Sequence, residues 1–182
     1  MFVIVEGIHD TGKSSLIEKI CQRQPYKLFQ SKRLFPELAN INNSSISDFA
    51  TGTNCAIVWF AQTFSQSLFI IFDRLHLSEY SYSRLFRDVD EVIALNRFRM
   101  IDDKLAQFNV RMIHLHCNYD ILVGRLKDKN KQYTEEHHNK LTDYFNKLIE
   151  ITKITTYSID TGKCSEELTY EKATDFIAKG IV

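Results

Sequence analysis

Short, unbroken apolar runs alternate along the chain with segments whose apolar residues recur every three or four positions. Five runs are candidate strands: Phe2–Glu6 (FVIVE), a weaker Tyr26–Phe29 (YKLF), Phe69–Asp73 (FIIFD), Arg111–His116 (RMIHLH) and Thr155–Asp160 (TTYSID). A strand covered on one face alternates apolar with polar, whereas one covered on both faces stays apolar, so these runs predict buried strands. Between them, Leu16, Ile17, Ile20 and Cys21 share one helical face. Asp88 and Glu91 have capping-box spacing ahead of a helix predicted to reach about Gln107. Leu141, Tyr144, Phe145, Leu148 and Thr152 form a further apolar stripe, with Thr134 as its N-cap, and Ser165 opens a last helix ending near Gly180. Residues 38–56 are polar and weakly periodic and read as a mobile connection.

Strand and helix alternating throughout predict an α/β fold: a five-stranded parallel sheet with helices on both faces. Crossovers should be right-handed, and ligands should bind at the carboxyl ends of the strands. The 182 residues fit a single domain, 1–182, and 2 Pro with 6 Gly leave little room for linkers.

Composition narrows the picture modestly. Lys+Arg 23 against Asp+Glu 23 gives no global attraction to nucleic acid or an anionic membrane. No apolar stretch approaches the ~20 residues a membrane span requires. Cys21, Cys55, Cys117 and Cys164 match no metal-ligand spacing. The first residues build a strand rather than a secretion signal, so reduced thiols in the cytoplasm are expected. Cys117 reads as a small buried hydrophobe.

The most specific chemistry lies in residues 7–14, Gly-Ile-His-Asp-Thr-Gly-Lys-Ser, which fit G-x-x-x-x-G-K-[ST] between a strand and an amphipathic helix. In this P-loop pattern, backbone N–H groups cradle phosphate oxygens and the helix offers its N-terminus to negative charge. Gly7 and Gly12 permit backbone conformations a side chain would obstruct. Lys13 can reach the transferring phosphate, and the Ser14 hydroxyl is placed to ligate Mg²⁺. His9, Asp10, Thr11 and Ser15 complete the expected contacts to ATP. Asp160–Lys163 repeats Asp-Thr-Gly-Lys without the earlier glycine or a following hydroxyl, so it is no second phosphate loop. Asn139-Lys140-Leu141-Thr142 lacks the aspartate of a GTPase base-recognition motif.

The third candidate strand ends in Asp73-Arg74. A carboxylate there would hold metal water or take the acceptor's proton, and a cation would steady the moving phosphate. Asp73, with Ser14, is the candidate metal ligand. Arg125, Lys127, Lys129 and Lys131 precede the Thr134 helix and are candidate lid cations, Arg125 foremost. His76 is a candidate to orient Asp73 or to serve the core. Glu79 and Tyr82, at i, i+3, are candidates to line the acceptor pocket. Arg33 is a candidate acceptor-phosphate ligand, and Phe60 a candidate to stack on a base or join the core.

Glu6-Gly7-Ile8-His9-Asp10-Thr11-Gly12-Lys13-Ser14, the later Asp73, Arg74, Ser78 and Tyr82, and Arg33-Leu34-Phe35-Pro36-Glu37 resemble the motifs of the thymidylate kinase family of nucleoside monophosphate kinases, in order. Ile159-Asp160 before Ser165-Glu166-Glu167 is similar to that family's adenine-side loop and last helix. The compact Asp73-to-Arg87 spacing also resembles kinase-like family members encoded by bacteriophages. Two departures stand out. His9 falls where the family carries a loop aspartate, and Trp59–Thr63 lacks its thymine-reading arginine.

The resemblance implies Mg²⁺-dependent transfer from ATP to a small-molecule acceptor, a deoxynucleoside monophosphate, with a lid near 124–139. Lys13, Asp73, Arg74 and Arg125 would be catalytic, and Arg33, Phe60, Arg74, Glu79 and Tyr82 would bind the acceptor. No membrane partner is expected, nucleic acid is disfavoured, and a homodimer stays open. Two alternatives remain at this level. One is a kinase for a hydroxyl on a deoxynucleoside or on a modified base in DNA; the other is a catalytically silent nucleotide-binding regulator.

Overall fold

The structure, a computed structural model, describes residues 1–24, 27–29, 43–64, 69–125 and 133–180. Strands are β1 (Phe2–Glu6), β2 (Lys27–Phe29), β3 (Ile70–Asp73), β4 (Val110–His116) and β5 (Thr155–Asp160). Helices are α1 (Lys13–Arg23), α2 (Asn43–Phe64), α3 (His76–Phe86), α4 (Glu91–Leu105), α5 (Tyr119–Arg125), α6 (Glu135–Ile151) and α7 (Glu166–Ala178). The strands pair in the order β2-β3-β1-β4-β5, every pair parallel. The α/β architecture with a parallel sheet is thus the one expected from the alternation of elements.

Side chains of β1 point alternately to the two faces, which explains its unbroken apolar run. Phe2 and Ile4 join a core with Phe98 and Ile101 of α4 and with Leu141, Phe145 and Leu148 of α6. Val3 and Val5 join a second core with Leu16, Ile17 and Ile20 of α1 and with Tyr170, Ala173 and Ile177 of α7. Each fully buried Ile or Leu stabilises by roughly 1.5–3 kcal/mol relative to exposure. Parallel register places Val5 opposite Asp73 and opposite Ile113. The carboxyl ends of β1, β3 and β4 therefore finish at one edge, where the phosphate loop departs.

Several local expectations need correction. Residues 43–56 begin α2 rather than forming a mobile connection; residues 38–42 lie outside the described residues. Among the α2 side chains that are described, Asn54, Ile57 and Val58 are buried. Asp90, not Asp88, caps α4, its Oδ1 accepting from the N–H groups of Val92 (2.9 Å) and Ile93 (3.2 Å). Strand β5 buries Ile159 but leaves Tyr157 exposed, because it lies at the sheet edge. The short helix α5 was not foreseen, and it carries Arg125 as its last residue. Thr134 and Ser165 do cap α6 and α7 as the spacing predicts.

A buried carboxylate ties the second layer together. Asp102 of α4 accepts from the Lys153 N–H (2.8 Å) and the Thr152 hydroxyl, and its Oδ1 lies 3.0 Å from His76 Nε2. His76 also stacks on Phe98, with ring centroids 5.1 Å apart. His76 thus faces Asp102, which corrects the alternative that it orients Asp73. Burial pushes the Asp102 carboxyl up, but the bonds from His76, Lys153 and Thr152 outweigh it and hold the group below its ordinary value.

Candidate active site

The loop leaving β1 is shaped by two glycines with positive φ. Gly7 has φ +136°, and a Cβ there would stand 2.1 Å from the Leu115 carbonyl oxygen of β4, closer than any side chain permits. Gly12, at φ +91°, precedes α1 and gives that helix no side-chain cap, nor is there an acidic residue in its first turn. The first N–H groups of α1 are therefore left facing outward with the positive end of the helix dipole, a ready seat for an anion. Inside the loop, Thr11 Oγ1 donates to the Ile8 carbonyl at 2.7 Å. Lys13 is buried; its ammonium donates to the same carbonyl and approaches Thr11 Oγ1 at 3.4 Å.

The β3–α3 junction faces this loop. The Arg74 N–H donates to the Val5 carbonyl (2.9 Å), so the junction continues the β1–β3 pairing, yet Arg74 itself adopts φ +68°. A non-glycine residue in the left-handed region needs neighbours that hold it there. Glu6 supplies them. Its Oε1 accepts from the N–H groups of Leu75 (2.7 Å) and Ser78 (3.4 Å), and its Oε2 accepts from Ser78 Oγ (2.5 Å). Arg74 Nη1 donates to Ser78 Oγ at 3.3 Å, and the guanidinium lies 5.1 Å from the Tyr82 ring centroid.

Two polar atoms in this junction have no protein partner although they are buried: Asp73 Oδ1 and Arg74 Nε. Their residues are 8% and 7% exposed, so water does not satisfy them freely. Both residues line a cleft of about 620 Å³ together with the whole run His9–Ser15. That volume suits a nucleotide-sized ligand. The far wall of the cleft comes from Arg125, Thr161, Cys164 and Thr169. Arg125 donates to Thr161 through Nη1 to Oγ1 (3.0 Å) and Nη2 to the carbonyl (2.7 Å), and so bridges α5 to the loop after β5.

His9 sits between two tyrosines. Its backbone N–H donates to the Tyr82 hydroxyl (3.2 Å), whose oxygen also lies 3.0 Å from Nδ1, and the Tyr133 ring meets it edge-on at 4.3 Å. Burial, reinforced by Tyr82 and Tyr119, pushes the Tyr133 phenol well above its ordinary value, so it stays protonated. Burial likewise pushes the Cys117 thiol up against the pull of Arg125, which makes it a packing residue rather than a nucleophile.

Lys13, Ser14, Asp73, Arg74 and Arg125 are thus brought to one cleft, with Tyr82 against its loop. Glu79 is not among the residues lining it. It pairs with Arg87 at 2.8 Å and borders a separate small cavity with His76 and Tyr80. Arg33, Lys127, Lys129, Lys131 and the Phe60 side chain lie outside the described residues. Sequence reasoning gave no role to Glu6, although an acidic residue closing an otherwise apolar strand is a signal. Tyr133, Thr161 and Thr169 carry no motif and needed the fold to be found.

The Ser14 hydroxyl and the Asp73 carboxylate, one oxygen of it unpartnered, face one cleft, and Mg²⁺ takes one or two protein oxygens while keeping waters and phosphate oxygens. These residues fit the ion. Among the described residues no group of three or more His, Cys, Asp or Glu forms a closed metal cage.

No family model and no curated protein matches the chain. Solved structures do. The YorR protein of Bacillus subtilis, in complex with phosphorylated GDP, aligns with TM-score 0.72 at 19% identity over 98% of this chain and 96% of its own. Thymidylate kinase from Candida albicans aligns with TM-score 0.68 at 15% identity over 98% and 91%. Deoxyadenosine kinase from M. mycoides with bound dATP gives TM-score 0.66 at 15% identity over 98% and 100%. At such identities the likeness establishes the fold: this chain is built on the same fold as the YorR protein, a thymidylate kinase and a deoxyadenosine kinase.

Proposed function

We propose that the chain is a single-domain P-loop phosphotransferase that moves the γ-phosphate of ATP onto a deoxynucleoside monophosphate, in the manner of the thymidylate kinase family. The observation that carries this reading is that Asp73 and Arg74 line the cleft of the phosphate loop, each with a buried polar atom, Oδ1 and Nε, that no protein group satisfies. An orphaned carboxylate oxygen and an orphaned guanidinium N–H have complementary uses there. One holds metal water or accepts a proton, and the other holds phosphate oxygen. The fold shared with proteins that are nucleotide and deoxynucleoside kinases supports the same reading.

The loop amides and the uncapped end of α1 hold the β- and γ-phosphates of ATP, with Lys13 turning from the Ile8 carbonyl to the transferring group. Ser14 and Asp73 would hold Mg²⁺, which would supply neutralisation of phosphate charge there. An oxygen of the acceptor phosphate attacks the γ-phosphorus as the bond to the β–γ bridging oxygen breaks, leaving ADP and a nucleoside diphosphate. Arg74 and Arg125 balance the charge spread over the phosphate in flight. Residues 124–139, of which 126–132 lie outside the described residues, would serve as the lid that excludes water.

The relation to deoxyadenosine kinase keeps one competitor alive, transfer to the hydroxyl of a deoxynucleoside. An ATP-consumption screen over nucleosides, nucleoside monophosphates and DNA separates the two. Turnover confined to monophosphates is expected. Turnover with nucleosides or DNA alone would replace this reading with the hydroxyl-kinase one, and turnover with none would favour a nucleotide-binding regulator.

A further inference from the structure

The carboxylate of Glu6 is fully buried at the last position of β1, in a strand otherwise made of Phe, Val and Ile. Burying a carboxylate costs several kcal/mol unless its oxygens are filled by donors. Both are filled, and both by one stretch of chain: Leu75 N–H and Ser78 N–H on Oε1, Ser78 Oγ on Oε2. The donors all belong to the turn that opens α3, directly after Asp73-Arg74. That turn holds Arg74 at φ +68° and Leu75 at φ −153°, ψ −123°, conformations a free loop would leave. Ser78 Oγ, which donates to Glu6, can also accept, and what it accepts is Arg74 Nη1 at 3.3 Å.

We infer that Glu6 is a positioning residue that aims Arg74 into the cleft through Ser78, a reading that rests on the phosphotransferase assignment for its kinetic consequences but not for its geometry. With its hydroxyl proton given to Glu6, Ser78 Oγ turns a lone pair to the guanidinium. The fork is then fixed at Nη1, Tyr82 supports its face, and Nε carries no bond within the protein. Glu6 has no ligand role of its own, because its oxygens are taken and it is absent from the residues lining the cleft. Its action is to fix an angle. A misplacement of about 1 Å at such a site costs about 100-fold in rate.

The test compares wild type with Glu6→Gln, Ser78→Ala, Arg74→Ala and the double variants, each with a thermal melting curve. Two readouts are needed. The first is kcat for ATP-dependent transfer. Glu6→Gln and Ser78→Ala should each lower kcat by about 10- to 100-fold with KM for ATP unchanged. In the Arg74→Ala background they should lower it no further, since they act through the residue already removed. The second readout needs no turnover: the Nε–H NMR resonance of Arg74, identified by its loss in Arg74→Ala. It should be sharp in wild type and broadened in Glu6→Gln and Ser78→Ala. If Glu6→Gln fails to fold, Ser78→Ala, which removes a single oxygen, carries both measurements. An unchanged resonance, or losses that simply add to that of Arg74→Ala, would overturn the inference. Broadening of the resonance in a wild-type-inactive protein would instead uphold the clamp while overturning the kinase assignment.

Discussion

Lys13 is braced before any nucleotide arrives, its ammonium given to the Ile8 carbonyl and Thr11 Oγ1 within a loop that Gly7 and Gly12 alone could shape. The sequence pattern points to a phosphate role for this lysine, the one proposed above, but not to its contacts within the loop. Lys13→Ala should therefore lower kcat by about 100- to 1000-fold, the range for a preorganised charge, and also reduce the melting temperature slightly. Wild-type kcat in that variant would refute the phosphate-loop assignment. Asp73 is the opposite case. Its Oδ1 has no partner in the protein, so Asp73→Asn should cost no stability, while kcat falls at least about 100-fold and ATP binding persists. Titration calorimetry with ATP beside steady-state kinetics decides it, and equal loss of binding and rate would mean a structural role. Asp73, Arg74 and Lys13 were legible because each stands at a fixed distance from a strand end. Glu79 was misplaced because helical spacing names a face without saying which neighbour covers it, and that neighbour is Arg87.

At the level of elements, strand β4 and helix α6 meet through His114, whose ring stacks on Phe145 with centroids 5.3 Å apart. Burial first, then the positive charges of His116 and Lys13, lower His114 from 6.5 to about 3. The unfolded chain takes up a proton that the folded chain refuses. Stability is therefore fully present above about pH 6.5 and is lost as pH falls toward 3, with a slope near 1.4 kcal/mol per pH unit. Asp102 adds a loss in the same direction at lower pH, since its folded-state value lies below the ordinary 3.8. Burial lowers His138 in the same direction, so denaturant unfolding between pH 7 and 4 should show a shallower slope in His114→Phe than in wild type; the same slope in both would contradict the assignment. Strands β1 and β3 were easy to read because burial on both faces keeps them apolar up to the acidic residue that ends each. Helix α2 was hard to read because its first half is rich in small and polar residues, Ser44, Ser45, Thr51, Gly52, Thr53 and Asn54 among them, which blur its period. Helix α5 escaped because seven residues are too few for a period to register.

For the whole molecule, the α/β alternation, the order of motifs and the position of the phosphate loop all follow from local pattern. The joining of residues from α5, β5 and α7 into the far wall of the cleft depends on strand order and is invisible to spacing. The retained cation at Arg74, together with the missing base-reading arginine in residues 59–63, sets an expectation for acceptor choice. Four deoxynucleoside monophosphates should be phosphorylated with kcat/KM values within about tenfold, a spread of ~1.4 kcal/mol. Their nucleosides should be far poorer, because Arg74 would face an empty site; a single strongly preferred base would contradict this. The central claim is transfer between phosphates, and time-resolved ³¹P NMR of the protein with Mg²⁺, ATP and a deoxynucleoside monophosphate tests it most directly. The account predicts that the resonances of a new nucleoside diphosphate grow in step with ADP while no orthophosphate accumulates. Orthophosphate growing in place of the new diphosphate, or an unchanging spectrum from a folded, ATP-bound protein, would contradict it.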